Sequence, residues 1–273
     1  MFQFLAQKAR APNQKTADPS QKSLDIAGRS ITLFGRPGDP YFDAVGGHPN
    51  DFLYRVAGLL PPAPIIFDIG ANIGVTAAMF SAIRPAATVH CFEPSPSALP
   101  SLHSTVEHNR LNCTIHELAL GASQGELAFM DNPTSASASH LSVDNTTLGD
   151  AQHRVKVSTL DAETTELDLP RLDFIKIDVE GFECDVLTGA KATLARYKPQ
   201  VFVEFNSFTL IAFRNLNPRA FLEQLLATFP HVYMLQDGKH VEIRSEDTQL
   251  AFIHHNLVKH GCVDDLLCSF TEL

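Results

Sequence analysis

Tryptophan is absent from this 273-residue chain, and cysteine is sparse at five residues. The five (Cys91, Cys113, Cys184, Cys262 and Cys268) are odd in number and form no C-x-x-C pair. A disulfide framework and a cysteine zinc site are therefore excluded as organising principles, and reduced core thiols are expected. Positive charge is also short, with 21 Lys and Arg against 31 Asp and Glu, a net charge of −10. Such a chain gains little from neutralising phosphates, so nucleic acid is not expected as a partner. No apolar stretch approaches the ~18 residues of a membrane span. The first fifteen residues lack the h-region of a secretory signal, and the expected address is cytoplasmic. Internal repeats and the HExxH pattern are missing too.

What is present is ordinary globular composition, 44% hydrophobic and 19% charged, and enough length to bury a large core. Residues 1–24 are polar and hold Lys8, Arg10, Lys15 and Lys22 against Asp18. They are expected to be a disordered tail, or an arm that covers a site or touches an anionic surface. Residues 25–64 form an N-terminal extension with a strand at 30–35 and a short helix at 51–60. From residue 65 apolar strands alternate with amphipathic helices, with a Ser/Thr/Asn-rich loop at 132–150. HVYMLQ (231–236) and LAFIHH (250–255) are expected to close the domain as a hairpin. This alternation predicts a doubly wound, mostly parallel α/β sheet over 65–273 with helices on both faces.

The strongest local signal is IIFDIGANIGV, residues 65–75. Ligands of open α/β sheets bind beyond the carboxyl ends of the strands, next to the first strand. A dinucleotide fold asks for GxGxxG, whose helix N-terminus cradles a pyrophosphate. Here the turn is G-x-x-x-G (Gly70, Gly74), preceded by Asp68 and with Asn72 between. Asp68 would repel a pyrophosphate and attract an amine. The next strand ends in Glu93, 19 residues beyond Gly74, where a carboxylate can accept both hydroxyls of a ribose. An amine-bearing nucleoside without phosphates fits this pair, and S-adenosylmethionine is such a ligand.

DIGANIG, FEPSPSALPSL, ELALG, VSTLD and FIKIDVEGFE follow one another along the chain. In that order they resemble the FkbM family of S-adenosylmethionine-dependent methyltransferases, over residues 65–205. The resemblance implies a class I, Rossmann-like fold with a seven-stranded sheet and a terminal antiparallel strand. It implies O-methylation of hydroxyls on sugars, glycans or polyketide-type products. It also implies that Asp68, Gly70, Ala71, Asn72, Gly74, Glu93 and Pro94 line the cofactor site, with Asn109, Leu118 and Ala119 near the ribose and adenine.

A hydroxyl acceptor must lose its proton. FIKIDVEGFE carries Asp178 at a strand end, expected to serve as general base or acceptor-orienting carboxylate. Glu180 and Glu183 are read as starting the next helix on one face. Acids in a first turn are also stabilised by the macrodipole, by ~0.3–1 kcal/mol each, and that role is assigned to Glu183 and Asp185. The next strand ends in Glu204 and Asn206. With Asp178 they could hold Mg²⁺, in outline similar to catechol-type methyltransferases, although a metal is not favoured. His140 is a candidate acid/base in the loop, and His254 and His255 are weaker ones at the end of a strand. Phe205 and Phe208 are read as core or pocket wall. Two other readings remain: a nicotinamide-dependent oxidoreductase, against which the missing GxGxxG counts, and a non-catalytic cofactor-binding module. N-methylation of an amine also stays open.

Overall fold

A computed structural model describes residues 20–46, 51–131, 139–142, 152–236 and 239–273. Most of the basic tail and of the 132–150 loop lies outside the described residues. The tail gives way to structure earlier than its polarity suggests. β1 (Ser20–Ile26) and β2 (Arg29–Gly35) form an antiparallel hairpin. Leu24, Ile26, Ile31 and Leu33 fall on its buried face while polar residues alternate outward. α1 (Pro40–Ala44) starts with proline and is capped by Asp39, whose carboxylate accepts from Tyr41 N–H. α2 (Asp51–Leu59) buries Phe52, Leu53, Val56 and Ala57.

β3 (Ile65–Ile69), α3 (Val75–Ile83), β4 (Thr88–Phe92), α4 (Leu99–Asn109) and β5 (Cys113–His116) then alternate as expected. The continuous apolar runs of β3 and β4 suit strands covered on both faces. The expected third strand breaks after β5, and β6 (Ala119–Leu120) joins a second sheet with β7 (Gly125–Met130), β8 (His140–Ser142) and β9 (Gln152–Ser158). α5 (Leu160–Leu167), capped by Thr159, leads to β10 (Phe174–Ile177). The single helix expected after β10 is two, α6 (Glu183–Thr188) and α7 (Lys191–Tyr197), separated at Gly189. β11 (Gln200–Asn206), α8 (Ser207–Arg214), α9 (Pro218–Thr228), β12 (His231–Gln236) and β13 (Lys239–Glu242) follow.

The chain then departs from the expected hairpin. LAFIHH lies inside α10 (Glu246–Val258), and β12 pairs instead with β13 and with β14 (Val263–Ser269). Ser245 caps α10 by accepting from Thr248 N–H, with Glu246 and Asp247 in the first turn, so the helix start is well specified. Among the described residues the main sheet has eight strands, in the order β13-β12-β14-β11-β10-β3-β4-β5. β5 to β11 are parallel, while β14 runs antiparallel to β11. The expected seven-stranded arrangement is thus extended by β13 at one edge.

Side chains alternate between two cores. Phe67, Ile175, Val203 and Leu266 face the side covered by α6, α7, α9 and α10. Ile66, Phe174, Phe202 and Leu267 face the hairpin β1–β2 and helices α2 to α4. The second sheet closes a smaller core of Phe129, Leu141, Val155 and Val157 onto Phe182. All five cysteines are free. Among the described residues no helix is long and apolar enough to cross a membrane.

Candidate active site

The parallel strands β3, β4, β10 and β11 end at one side of the sheet, around a cavity of about 380 Å³. At the end of β3 the backbone turns at Gly70, with φ of 79°. A Cβ there would lie 1.8 Å from the carbonyl oxygen of Asp178, so only glycine lets these two strand ends meet. Glu93 closes the other side of the turn. Its carboxylate accepts the N–H of Asn72 at 2.7 Å and of Ser95 at 2.8 Å. Burial pushes its pKa up to about 7.

Lys176 is the polar centre beneath this turn. It sits opposite Asp68 in the register of β10 against β3 and is almost wholly buried. Its ammonium donates to the Gly70 carbonyl at 2.8 Å and lies 3.1 Å from Asp178 and 3.5 Å from Asp68. Burial opposes the charge on Lys176, but the two carboxylates outweigh it and its pKa is raised. Asp68 is fully buried, neither of its oxygens makes a close hydrogen bond, and burial pushes its pKa to about 6.

Beyond β10 the chain turns through Val179, Glu180 and Gly181. Glu180 adopts φ of 51°, uncommon for a residue with a side chain. Glu183 holds this turn: one carboxylate oxygen accepts the N–H groups of Val179 and Gly181, each at 3.1 Å. Glu180 therefore precedes α6 instead of starting it, and it does not share a helical face with Glu183. Glu183 is wholly buried, with its pKa pushed up to about 7 by burial. It is a structural acid, as expected, though one that shapes the site.

Asp178, Glu180 and Glu204 converge, with one oxygen from each within 4.8 Å of the others. Burial, then the neighbouring Asp178 and Glu183, pushes Glu180 to about 9, and burial also raises Glu204 well above its ordinary value. Asn206 is not a member of this cluster. Its side chain caps α8 by accepting from Thr209 N–H and donates to Glu204 at 3.3 Å.

Of the other expected residues, Ala71, Asn72, Pro94, Leu118 and Ala119 line the cavity with Gly70 and Glu93. So does His140, whose ring stacks on Phe213 at 3.8 Å. Asp68 stays beneath the cavity, reaching it through Lys176. Gly74 does not line the cavity itself; its N–H donates to the carbonyl of the lining residue Ala71 at 2.9 Å, and its backbone packs on Leu102 and Thr105. Asn109 is a correction: its amide exchanges hydrogen bonds of 2.9 and 2.7 Å with the backbone of Thr32, pinning the hairpin to α4. Phe205 is core, but Phe208 is 59% exposed and is not among the described residues lining the cavity; its ring meets edge-on that of Phe213. His254 and His255 sit on α10, away from the cavity lining. Several lining residues lie outside the expected set, Tyr41 and Lys176 among them. Tyr41 reaches the cavity from α1, where no motif marks it. Lys176 had a visible signal, a lone charge inside an apolar strand.

The donor set fits a cationic nucleoside better than a dinucleotide. Glu93, Asp178, Glu180 and Glu204 face the cavity against one lysine, while Phe92, Leu118 and Leu120 supply an apolar wall. An aromatic base suits such a wall, and carboxylates suit ribose hydroxyls and an amine. A pyrophosphate would meet acids where it needs donors.

Comparison with known proteins points the same way. The family model for the methyltransferase FkbM domain matches residues 68–241. The chain is 29% identical over 209 residues to the 2-O-methyltransferase NoeI of Sinorhizobium fredii, covering 71% of this chain and 84% of that protein. It is 29% identical over 127 residues to the hexuronic acid methyltransferase AglP of Haloferax volcanii, covering 46% of this chain and 49% of that protein. It is 30% identical over 83 residues to the 31-O-demethyl-FK506 methyltransferase FkbM of Streptomyces tacrolimicus, covering 30% and 32% respectively.

Proposed function

The chain belongs to the methyltransferase FkbM family, and from that membership we propose that it methylates a hydroxyl of a sugar, glycan or polyketide-type product using S-adenosylmethionine. The observation that carries this reading is the cluster of strand-end carboxylates around one buried lysine, beside the Gly70 turn. The names of the relatives, a 2-O-methyltransferase and a hexuronic acid methyltransferase among them, support a hydroxyl acceptor of sugar type.

The cofactor, when bound, supplies an electrophilic methyl group on a sulfonium. The chain's own residues bind and orient. Glu93 would hold the ribose hydroxyls, its carboxylate being already fixed by two backbone N–H groups. Leu118, Ala119 and Phe92, which line the cavity, would shield the base from water. Asp178 is the carboxylate of the trio that is ion-paired with Lys176, and it takes the proton of the acceptor hydroxyl. Glu180, its pKa pushed up to about 9 by burial and the neighbouring Asp178 and Glu183, holds its own proton at neutral pH and so offers the cavity a hydrogen-bond donor. Lys176, bonded at once to the Gly70 carbonyl and Asp178, sets the distance between the cofactor turn and the proton acceptor.

Calorimetric titration with S-adenosylhomocysteine and with NAD(H) tests the cofactor assignment, and labelled methyl transfer across sugars, glycolipids and macrolides tests the acceptor. Saturable binding of S-adenosylhomocysteine alone, with label appearing on a hydroxyl, is expected. Failure to bind S-adenosylhomocysteine overturns the reading, and binding without transfer to any acceptor reduces the chain to a cofactor-binding module.

A further inference from the structure

The turn joining α10 to β14 carries a cluster for which the cavity has no use. His255 lies in the last turn of α10, and His260 follows the helix end. The N–H groups of Lys259 and His260 both donate to the His255 carbonyl, at 2.8 and 3.1 Å, which folds the chain back on itself. The two imidazoles then face each other with Nε2 atoms 2.9 Å apart. His260 Nδ1 is 2.5 Å from a carboxylate oxygen of Asp264, at the start of β14. One ligand atom from each of the three lies within 4.8 Å of the others.

The pattern of partners assigns the protons. A carboxylate accepts only from N–H, so His260 carries its proton on Nδ1 and, when neutral, turns a lone pair on Nε2 towards His255. A metal-ligating histidine is oriented by the same arrangement, its second ring N–H given to a carboxylate. Two imidazole nitrogens bound to one tetrahedral Zn²⁺ at ~2.0–2.1 Å stand about 3.3 Å apart, about 0.4 Å more than here, and binding also moves the His255 proton from Nε2 to Nδ1, through solvent. Asp264 is itself fixed from the interior. Its second oxygen accepts from Asn256 at 2.8 Å, and Asn256, wholly buried, also donates to the Phe205 carbonyl and accepts from the Ser207 hydroxyl. The His260 side chain is 46% exposed, so an ion can enter from solvent.

We propose that His255 and His260 bind a borderline divalent transition ion of the Zn²⁺ type through their Nε2 atoms, with Asp264 fixing the tautomer of His260. Imidazole nitrogen favours such ions over Mg²⁺ or Ca²⁺, which take oxygen. Within the register of β14 on β11, Asp264 stands opposite Phe205 and Asp265 opposite Glu204. The ion would therefore close the turn leading from α10 into β14, the strand paired with the one that carries Glu204 into the cavity. The assignment stands independently of the methyltransferase reading.

Zn²⁺ titrated into the chelator-stripped full chain, in competition with a chromogenic indicator, gives the affinity, and imidazole proton resonances report the ligands. The His255 and His260 signals of the unaltered protein should move at one equivalent, and His255→Gln or His260→Gln should weaken binding at least about tenfold. A large excess of Mg²⁺ should not displace the ion. Glu180→Gln, which alters the other carboxylate cluster, should leave Zn²⁺ affinity unchanged. Equal affinity in the unaltered protein and both histidine variants, or resonances of His255 and His260 that stay in place at saturation, overturns the proposal.

Discussion

Replacing Lys176 by methionine removes the ammonium while keeping a side chain of similar length in the strand. Two carboxylates lose their shared counter-ion, and the Gly70 carbonyl loses its donor. Asp178 retains some access to water, with 39% of its side chain exposed, but Asp68 has none. Breaking a buried pair by removing one partner costs about 3–5 kcal/mol, because the other charge is left uncompensated. Asp68 gives the loss its pH signature. Its pKa is already raised from 3.8 to about 6 with Lys176 in place, a burden on folding of about 3 kcal/mol at neutral pH. The sign follows from the unfolded chain losing its proton first as pH rises. The burden is absent below the unfolded value, grows through the interval up to the folded one, and is full above it. Without Lys176 the folded pKa climbs further, so the deficit of the variant should be greatest near neutrality and shrink towards about pH 5. Urea unfolding of both proteins at about pH 5 and about pH 7.5 measures it, the difference between them cancelling groups that do not feel Lys176, while Glu93 and Glu180, which do, rise with Asp68 and add to the same trend. Asp68→Asn added to the variant should recover much of the neutral-pH loss. A deficit equal at the two pH values, or no deficit, refutes the reasoning.

The same geometry sets three further outcomes. Asp178→Asn should keep S-adenosylhomocysteine affinity within a few-fold while single-turnover methyl transfer drops at least ~100-fold, the lower range for loss of a positioned base; near-normal transfer removes Asp178 from its role. Gly70→Ala should destabilise the fold by about 1–3 kcal/mol or more, read by urea unfolding, because its Cβ meets the Asp178 carbonyl at a positive φ. Methyl transfer should persist after exhaustive EDTA treatment, since Lys176 already supplies the cation beside Asp178; activity lost to EDTA and restored by Mg²⁺ would assign Asp178, Glu180 and Glu204 to a metal instead.

Much of the sheet was legible because β3, β4, β10 and β11 are short apolar runs bounded by turn residues. The strand-end acids Asp178, Glu93 and Glu204 could be read for the same reason, since a polar residue closing such a run marks the sheet's edge. Where the pattern failed, the cause is physical. In β1 the outward positions are Gln21, Ser23 and Asp25, and the inward face itself starts with Ser20 and Lys22, so a half-buried strand reads as tail. In α10, Leu250 and Leu257 are exposed, which blurs the helical stripe and lets LAFIHH pass for a strand. β14 carries two acids directly after its first residue, Val263, and its continuous apolar run is only Leu266, Leu267 and Cys268. Asn109 could not be judged from spacing, because its partner Thr32 lies 77 positions away. Glu180 looked helical from its distance to Glu183, whereas the carboxylate of Glu183 bends the intervening backbone out of the helix.

The grip of Asn109 on Thr32 bears on where the enzyme can be cut. Family likeness begins at residue 68, yet Leu24, Leu33, Phe42 and Phe52 share one core with Ile66, Phe80 and Phe174. A polypeptide started at the family boundary would lay that apolar surface bare and strip Tyr41 from the cavity. The hairpin and helices described ahead of residue 68 are thus an integral layer of this family member's fold, and any domain swap with a relative has to carry them along.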